Sequence, residues 1–211
     1  MYRSDRVAGN LAAIRERIER AGGDPDRVAI VAATKNRSVE DCRAAVAVGL
    51  ATLGENRVQE ALAKMDGVPG AHWHLIGHLQ TNKVRHAARF ELIQSLDSVR
   101  LAEALAARGG VAVLLEVNVA RESQKHGVEP GAAASTAAMV AAQLDLRGFM
   151  GMAPLGADPE PAFIQLRQLR DEAEQRLGRA LPVLSMGMSE DLEAAVRAGT
   201  TMLRIGRALF S

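Results

Sequence analysis

The chain has 211 residues, enough to bury roughly 70% of its unfolded surface in one domain without metal or disulfide staples. Its 26 basic and 25 acidic side chains nearly cancel, and aromatic residues make up 3%. A dedicated nucleic-acid binder would show a basic face and rings for base stacking, so that class is excluded.

The first 21 residues read as a helix, with Val7, Leu11, Ile14 and Ile18 at three- and four-residue spacing, stopped by Gly22-Gly23-Asp24-Pro25. Apolar strand-like runs then recur at 28–34, 51–54, 72–77, 90–96, 111–119, 146–152, 181–186 and 201–206. Helical patterns separate them. Ser38 to Asp41 resembles a capping box with Asp in place of Glu. Pro130 and Pro159 stand where a first helical residue would, and Gly49 and Gly199 close their helices. Eight strands alternating with helices imply a parallel sheet with right-handed crossovers. An open doubly wound sheet and a closed barrel both fit alternation; the count of eight favours a single (β/α)8 TIM barrel with an extra N-terminal helix, one domain over residues 1–211. The loose stretches are 120–131 and 153–160.

Chemistry in such barrels sits at the C-terminal strand ends, so those ends are read in turn. The first carries Lys35, one of four lysines beside 22 arginines. The two-residue strand period puts it on a face with Val31 and Ala33, pointing into the barrel mouth. Two readings stand: a lysine reaching out to water, or an amine made nucleophilic toward aldehydes by its apolar walls. The loops after strands seven and eight, the recurrent phosphate site of these barrels, hold Ser-Met-Gly-Met-Ser (185–189) and Ile-Gly-Arg (205–207). Ser189 is placed at a helix start, where free amides favour an anion, and Gly187 and Gly206 allow close approach of backbone to a phosphate. Arg204 shares the inward face with Met202, and a buried guanidinium needs a partner or a ligand. An aldehyde-reactive lysine, a phosphate cradle and an arginine facing a ring nitrogen together describe a pyridoxal 5'-phosphate (PLP) site.

Stretches along the whole chain carry a resemblance. AATKN (32–36), GENRVQE (54–60), WHLIGHLQTNK (73–83), the Asn118–Gly127 loop, LSMGMSEDLEAAVRAGT (184–200) and LRIGRALF (203–210) are similar to the YggS/PROSC family of pyridoxal phosphate homeostasis proteins, which look like the barrel domain of alanine racemase without its second domain. The resemblance implies that Lys35 forms the covalent PLP aldimine. It further implies that Ser189 and the backbone of Gly206 and Arg207 hold the phosphate, and that Arg204 faces the pyridine nitrogen. Asn56, His74 and Met188 complete the expected cofactor contacts. Ser211 stands where the family usually continues with glycine.

No metal is expected: His72, His74 and His78 have no Cys, Asp or Glu near them in sequence to complete a ligand set. Cys42 reads as a buried small hydrophobe, and Gln80–Lys83 as a cap of the third helix. The implied function is storage or delivery of PLP without turnover, with apo PLP-dependent enzymes as partners and a monomeric barrel. The alternative is a PLP enzyme such as an amino-acid racemase. That reaction needs a second base, a tyrosine in alanine racemase, and the one tyrosine here is Tyr2. Lys125 is placed near the mouth as a second amine, or as a solvated loop residue. One cysteine fits a reducing compartment. No apolar run is long enough to span a bilayer, and MYRSDRVAGN lacks the core of a signal peptide. The expected location is cytoplasmic.

Overall fold

A computed structural model describes residues 3–122, 124 and 126–211. Its sheet is a closed barrel of eight parallel strands in sequence order: β1 (Ala29–Ala33), β2 (Thr52–Glu55), β3 (His72–Leu75), β4 (Leu92–Leu96), β5 (Ala112–Glu116), β6 (Leu146–Met150), β7 (Val183–Ser185) and β8 (Met202–Ile205). Closure comes from β1 pairing with β8, Val31 opposite Arg204 and Ala32 opposite Ile205. Every expected strand is present, each shorter than its apolar run except β2, which keeps its length and is shifted by one residue. The fifth ends at Glu116, and the chain beyond it is held by a single bridge between Val117 and Val128.

The connecting helices are α1 (Arg3–Arg20), α2 (Val39–Ala47), α3 (Val58–Met65), α4 (Val99–Ala106), α5 (Ala133–Ala141), α6 (Glu160–Leu177), α7 (Leu192–Arg197) and α8 (Arg207–Phe210). The capping box at α2 forms as the sequence implies. Ser38 Oγ accepts the Asp41 amide at 3.2 Å, and the Ser38 amide donates to Asp41 Oδ2 at 3.1 Å. Gly49 and Gly199 follow α2 and α7 with φ of 86° and 91°, the left-handed geometry that ends a helix. Two connections differ from expectation. The third crossover is a 3-10 helix, Thr81–Arg89, rather than an α-helix. Pro159 precedes α6 instead of opening it, and the Asp158 carboxylate takes the Glu160 amide there. The extra helix α1 buries Val7, Ile14 and Ile18 and packs across α2 and α8.

Two apolar layers result. The larger lies between strands and helices and includes Phe149, Phe163 and Phe210. The smaller fills the barrel itself with Val31, Leu92, Leu114, Met150 and Met202, inward residues whose size leaves a packed plug rather than a pore. Gly148 makes that packing possible, because a Cβ there would stand 1.7 Å from the Val183 carbonyl oxygen. Gly148→Ala must therefore push β6 off β7. Its urea midpoint is expected to fall by the equivalent of about 3 kcal/mol, the upper end of ordinary overpacking; a loss below about 0.5 kcal/mol would mean that the two strands can separate freely.

Candidate functional site

Above the apolar plug the barrel opens into a cavity of about 590 Å³. Its wall contains Lys35, Asn56, Met188, Ser189, Arg204, Gly206 and Arg207 together, seven of the eight residues singled out in the sequence. The eighth, His74, is not on that wall. The two-residue period of β3 puts Ile76 at the cavity and His74 one layer down, 5% exposed. Tyr2 and Lys125 lie outside the described residues.

Lys35 lies two residues beyond the end of β1, after Thr34, and its ammonium has no hydrogen bond or ion pair among the described residues. The carbonyl just before it is fixed. Lys64, from α3, donates to Thr34 O at 2.9 Å and to Glu55 Oε1 at 2.5 Å, while Thr34 Oγ1 donates to the same carboxylate oxygen at 2.7 Å. Glu55 is fully buried, so this pair serves as an internal clamp on the end of β1, and Lys64 is engaged where Lys35 is free.

Arg204 is 5% exposed and is the origin of a directed chain of hydrogen bonds. Its Nη1 donates to Ser185 O at 2.9 Å and to Ser185 Oγ at 2.7 Å, and its Nη2 donates to Gly151 O at 3.0 Å. Ser185 Oγ then donates to Gln94 Oε1 at 2.6 Å, and Gln94 Nε2 donates to His74 Nδ1 at 3.0 Å. An accepting Nδ1 places the imidazole proton on Nε2. Burial lowers His74 to about 4, so it is neutral at neutral pH. Burial also lowers Arg204, to about 10, with the Glu116 charge opposing; the guanidinium stays cationic at neutral pH. These bonds occupy three of its five N–H groups. One hydrogen on Nη2 and that on Nε have no partner among the described residues, ready for an acceptor.

The two loops closing the cavity are locked by neighbours. Gly187 sits at φ 95°, and a Cβ on it would meet Ala195 Cβ at 2.4 Å. A Cβ on Gly206, which lines the cavity, would stand 3.2 Å from Ala33 O, so Gly187 lets its loop pack against α7 and Gly206 keeps backbone at the cavity wall. Ser189 does not open α7 as the sequence suggests. It lies three residues earlier, in a turn, and its hydroxyl accepts the Ala208 amide at 3.2 Å, joining the two loops. Asp191 is the residue preceding α7, and its carboxylate takes the Met188 amide at 2.5 Å. From α1, Arg17 grips the same turn, donating to Ser189 O at 3.0 Å while pairing with Glu193 at 2.7 Å and 2.8 Å. At the rim, Arg207 pairs with Glu190 at 2.6 Å, which leaves its backbone amide at the start of α8 facing the loop.

Sequence reading passed over Glu116, hidden in the apolar run of β5. It is 4% exposed and has no side-chain hydrogen bond among the described residues. Burial, with the Asp97 charge adding to it and Arg204 opposing, pushes its carboxyl up to about 7. The only sequence signal was one acidic residue at an inward position of a core strand.

The alanine racemase N-terminal domain family matches residues 3–211. The pyridoxal phosphate homeostasis protein of Aquifex aeolicus is 38% identical over 223 aligned positions, covering 100% of this chain and 98% of that one. The Escherichia coli K12 protein of the same name is 34% identical, with 97% and 95% covered. Among solved structures, PipY of Synechococcus elongatus with PLP bound superposes with a TM-score of 0.85 at 34% identity, covering 97% of this chain and 100% of PipY. Alanine racemase of Corynebacterium glutamicum shares the fold at 16% identity and a TM-score of 0.79, and the match spans 62% of the racemase chain. The barrel is thus of the alanine racemase N-terminal type. Within it, the chain belongs to the family of pyridoxal phosphate homeostasis proteins.

The buried titratable groups have opposite signatures. Glu116 in the folded chain holds its proton up to about pH 7, against an ordinary 4.5. Between those values the unfolded chain binds fewer protons, so stability falls as pH rises through the window, and the penalty is complete above it. His74, lowered from 6.5 to about 4, instead costs stability as pH falls between them. Glu116→Gln is expected to gain about 2 kcal/mol at pH 8 and nothing at pH 4. Paired denaturation curves at the two pH values test it, and an equal shift at both would assign the effect to packing.

Proposed function

We propose that this chain binds PLP in the mouth of its barrel and serves PLP homeostasis by holding and releasing the cofactor, without a turnover of its own. The observation that carries this reading is the composition of one cavity wall: an unpaired lysine at the end of β1, a buried arginine with two free N–H groups, and a two-loop backbone cradle. The naming of full-length relatives and PLP in the PipY structure support it.

In this reading the Lys35 amine bonds the cofactor's aldehyde carbon. Ser189 and the backbone of Gly206 and Arg207 hold its phosphate, and Asn56 and Met188 flank the ring. Arg204 donates to the ring nitrogen, and the chain down to His74 keeps the guanidinium in place. PLP supplies an electron sink for amino-acid chemistry when its ring nitrogen is protonated. A permanent cation at that nitrogen is a donor and opposes such protonation, so carbanions on a bound amino acid are poorly stabilised. That favours the carrier over the racemase. His74 takes a supporting part beneath the site rather than a contact with the cofactor.

The assignment is open to direct measurement. Borohydride treatment of the PLP-loaded chain should fix the cofactor on the peptide holding Lys35; label centred on Lys64 or Lys83 would refute the covalent role. Ser189→Ala should weaken PLP retention by about 1–3 kcal/mol, the usual loss of a hydrogen bond to a charged group. Pyridoxal without phosphate should bind poorly to the unaltered chain. Finally, PLP-loaded protein mixed with an apo PLP enzyme should activate it, and mixed with L-alanine should yield no D-alanine. Sustained racemisation by racemase-free protein would overturn the carrier reading.

A further inference from the structure

A second polar cluster lies on another arc of the rim. The cavity of Lys35 is walled chiefly from the ends of β1, β2 and β6 to β8. The cluster is built at β3, β4 and the segment after β5. His78 follows β3 by three residues, and Asp97 directly follows β4. His126 lies beyond β5, beside the bridge in which the Asn118 amide donates to Val128 O at 2.9 Å and the Val128 amide to Glu116 O at 2.8 Å. Three segments distant in sequence therefore deliver two imidazoles and a carboxylate to one point. Asp97 is distant in sequence from both histidines, and closure of the barrel brings the three together.

The donors converge on a single oxygen. Asp97 Oδ2 is 2.9 Å from His78 Nδ1 and 3.8 Å from His126 Nδ1, and all three donor atoms lie within 4.8 Å of one another. The rings are stacked, centroids 3.9 Å apart and 9° from parallel, so a shared ion requires the two ring planes to splay apart until both Nδ1 lone pairs, which lie in the ring planes, meet it. Ser98 Oγ donates to the other carboxylate oxygen, Oδ1, at 3.2 Å, which orients Oδ2 toward the imidazoles. Such outer partners are what a metal carboxylate needs to hold its direction. Metal–ligand bonds of about 2.0–2.1 Å in a tetrahedron separate donors by roughly 3.4 Å, between the two distances observed. The Asp97 side chain is 13% exposed, whereas His78 and His126 are 36% and 57% exposed. The carboxylate is therefore set in the protein, and a path to solvent leaves a fourth position for water.

We propose that His78, Asp97 and His126 form a site for a divalent transition-metal ion, of which zinc is the probe of choice, clipping the segment after β5 to the ends of β3 and β4. Two imidazoles and one carboxylate suit zinc, cobalt and nickel better than calcium or magnesium, which take all-oxygen shells. The clip spans the β5 segment that begins at the inward-facing Glu116 and Asn118, and it is independent of the PLP reading, since none of its ligands lines the Lys35 cavity.

The test is calorimetric titration of the full-length, PLP-free chain with zinc, repeated with cobalt to read its visible absorption. Wild type should bind about one equivalent, with magnesium failing to compete. His126→Ala and Asp97→Asn should each weaken zinc by more than about tenfold, and His72→Ala, which removes a histidine paired with Glu91 elsewhere, should not. Circular dichroism on each variant confirms that the fold is kept, and His126 is exposed enough for its removal to be tolerated. Zinc should also slow hydrogen exchange at the Asn118 and Val128 amides. Failure of wild type to bind at about 100 µM zinc, or losses under tenfold in either ligand variant, would overturn the proposal and leave an adventitious ion only.

Discussion

The cavity depends on keeping one positive charge dry. A guanidinium buried inside a barrel is tolerated only if its N–H groups are met by acceptors, and Arg204 is met by Ser185 and Gly151 at the ends of β7 and β6. Those acceptors need partners in turn, which makes Gln94 and His74 consequences of Arg204. The amide of Gln94 can satisfy Ser185 with its oxygen and His74 with its nitrogen in only one orientation. A polar chain with one consistent direction spans the plug that Leu92, Leu114 and Met202 fill. Buried networks whose inner members are paired in this way specify a core as well as stabilise it.

Around that charge the rest of the wall is arranged by small and local means. The Lys64–Glu55 clamp fixes the backbone just before Lys35, while Gly206 brings backbone to the opposite side. Negative groups are present too, yet Glu190 and Asp191 are each occupied, one by Arg207 and the other by the Met188 amide. The free charges facing the cavity are consequently basic, the polarity an anionic cofactor requires.

Much of this was legible before the fold. Period-two alternation puts Lys35 and Arg204 on inward faces regardless of strand length, and eight runs with helices between them define a barrel. The family resemblance implied a cofactor contact for His74, but the strand places its side chain a layer below the cavity wall. Glu116 and Gln94 escaped notice since a polar residue within an apolar run looks like noise until its neighbours are known. Ser189 was placed at a helix start because a serine in that spacing commonly caps; Asp191 takes the preceding position instead. The His78, Asp97 and His126 cluster was invisible for a different reason. Its members come from three crossovers, and only closure of the sheet makes them neighbours.

The grip of Arg17 on the Ser189 turn joins the opening helix of the described chain to a loop 172 residues later. β1 and β8 meet across a comparable separation. Contacts of such sequence span carry a loop-closure entropy that must be met before they contribute. The cradle side of the cavity therefore exists only where β1 and β8 are paired. A barrel still open at this seam would hold the lysine without the cradle, so tight retention of a phosphorylated ligand would report that the circle of strands is complete.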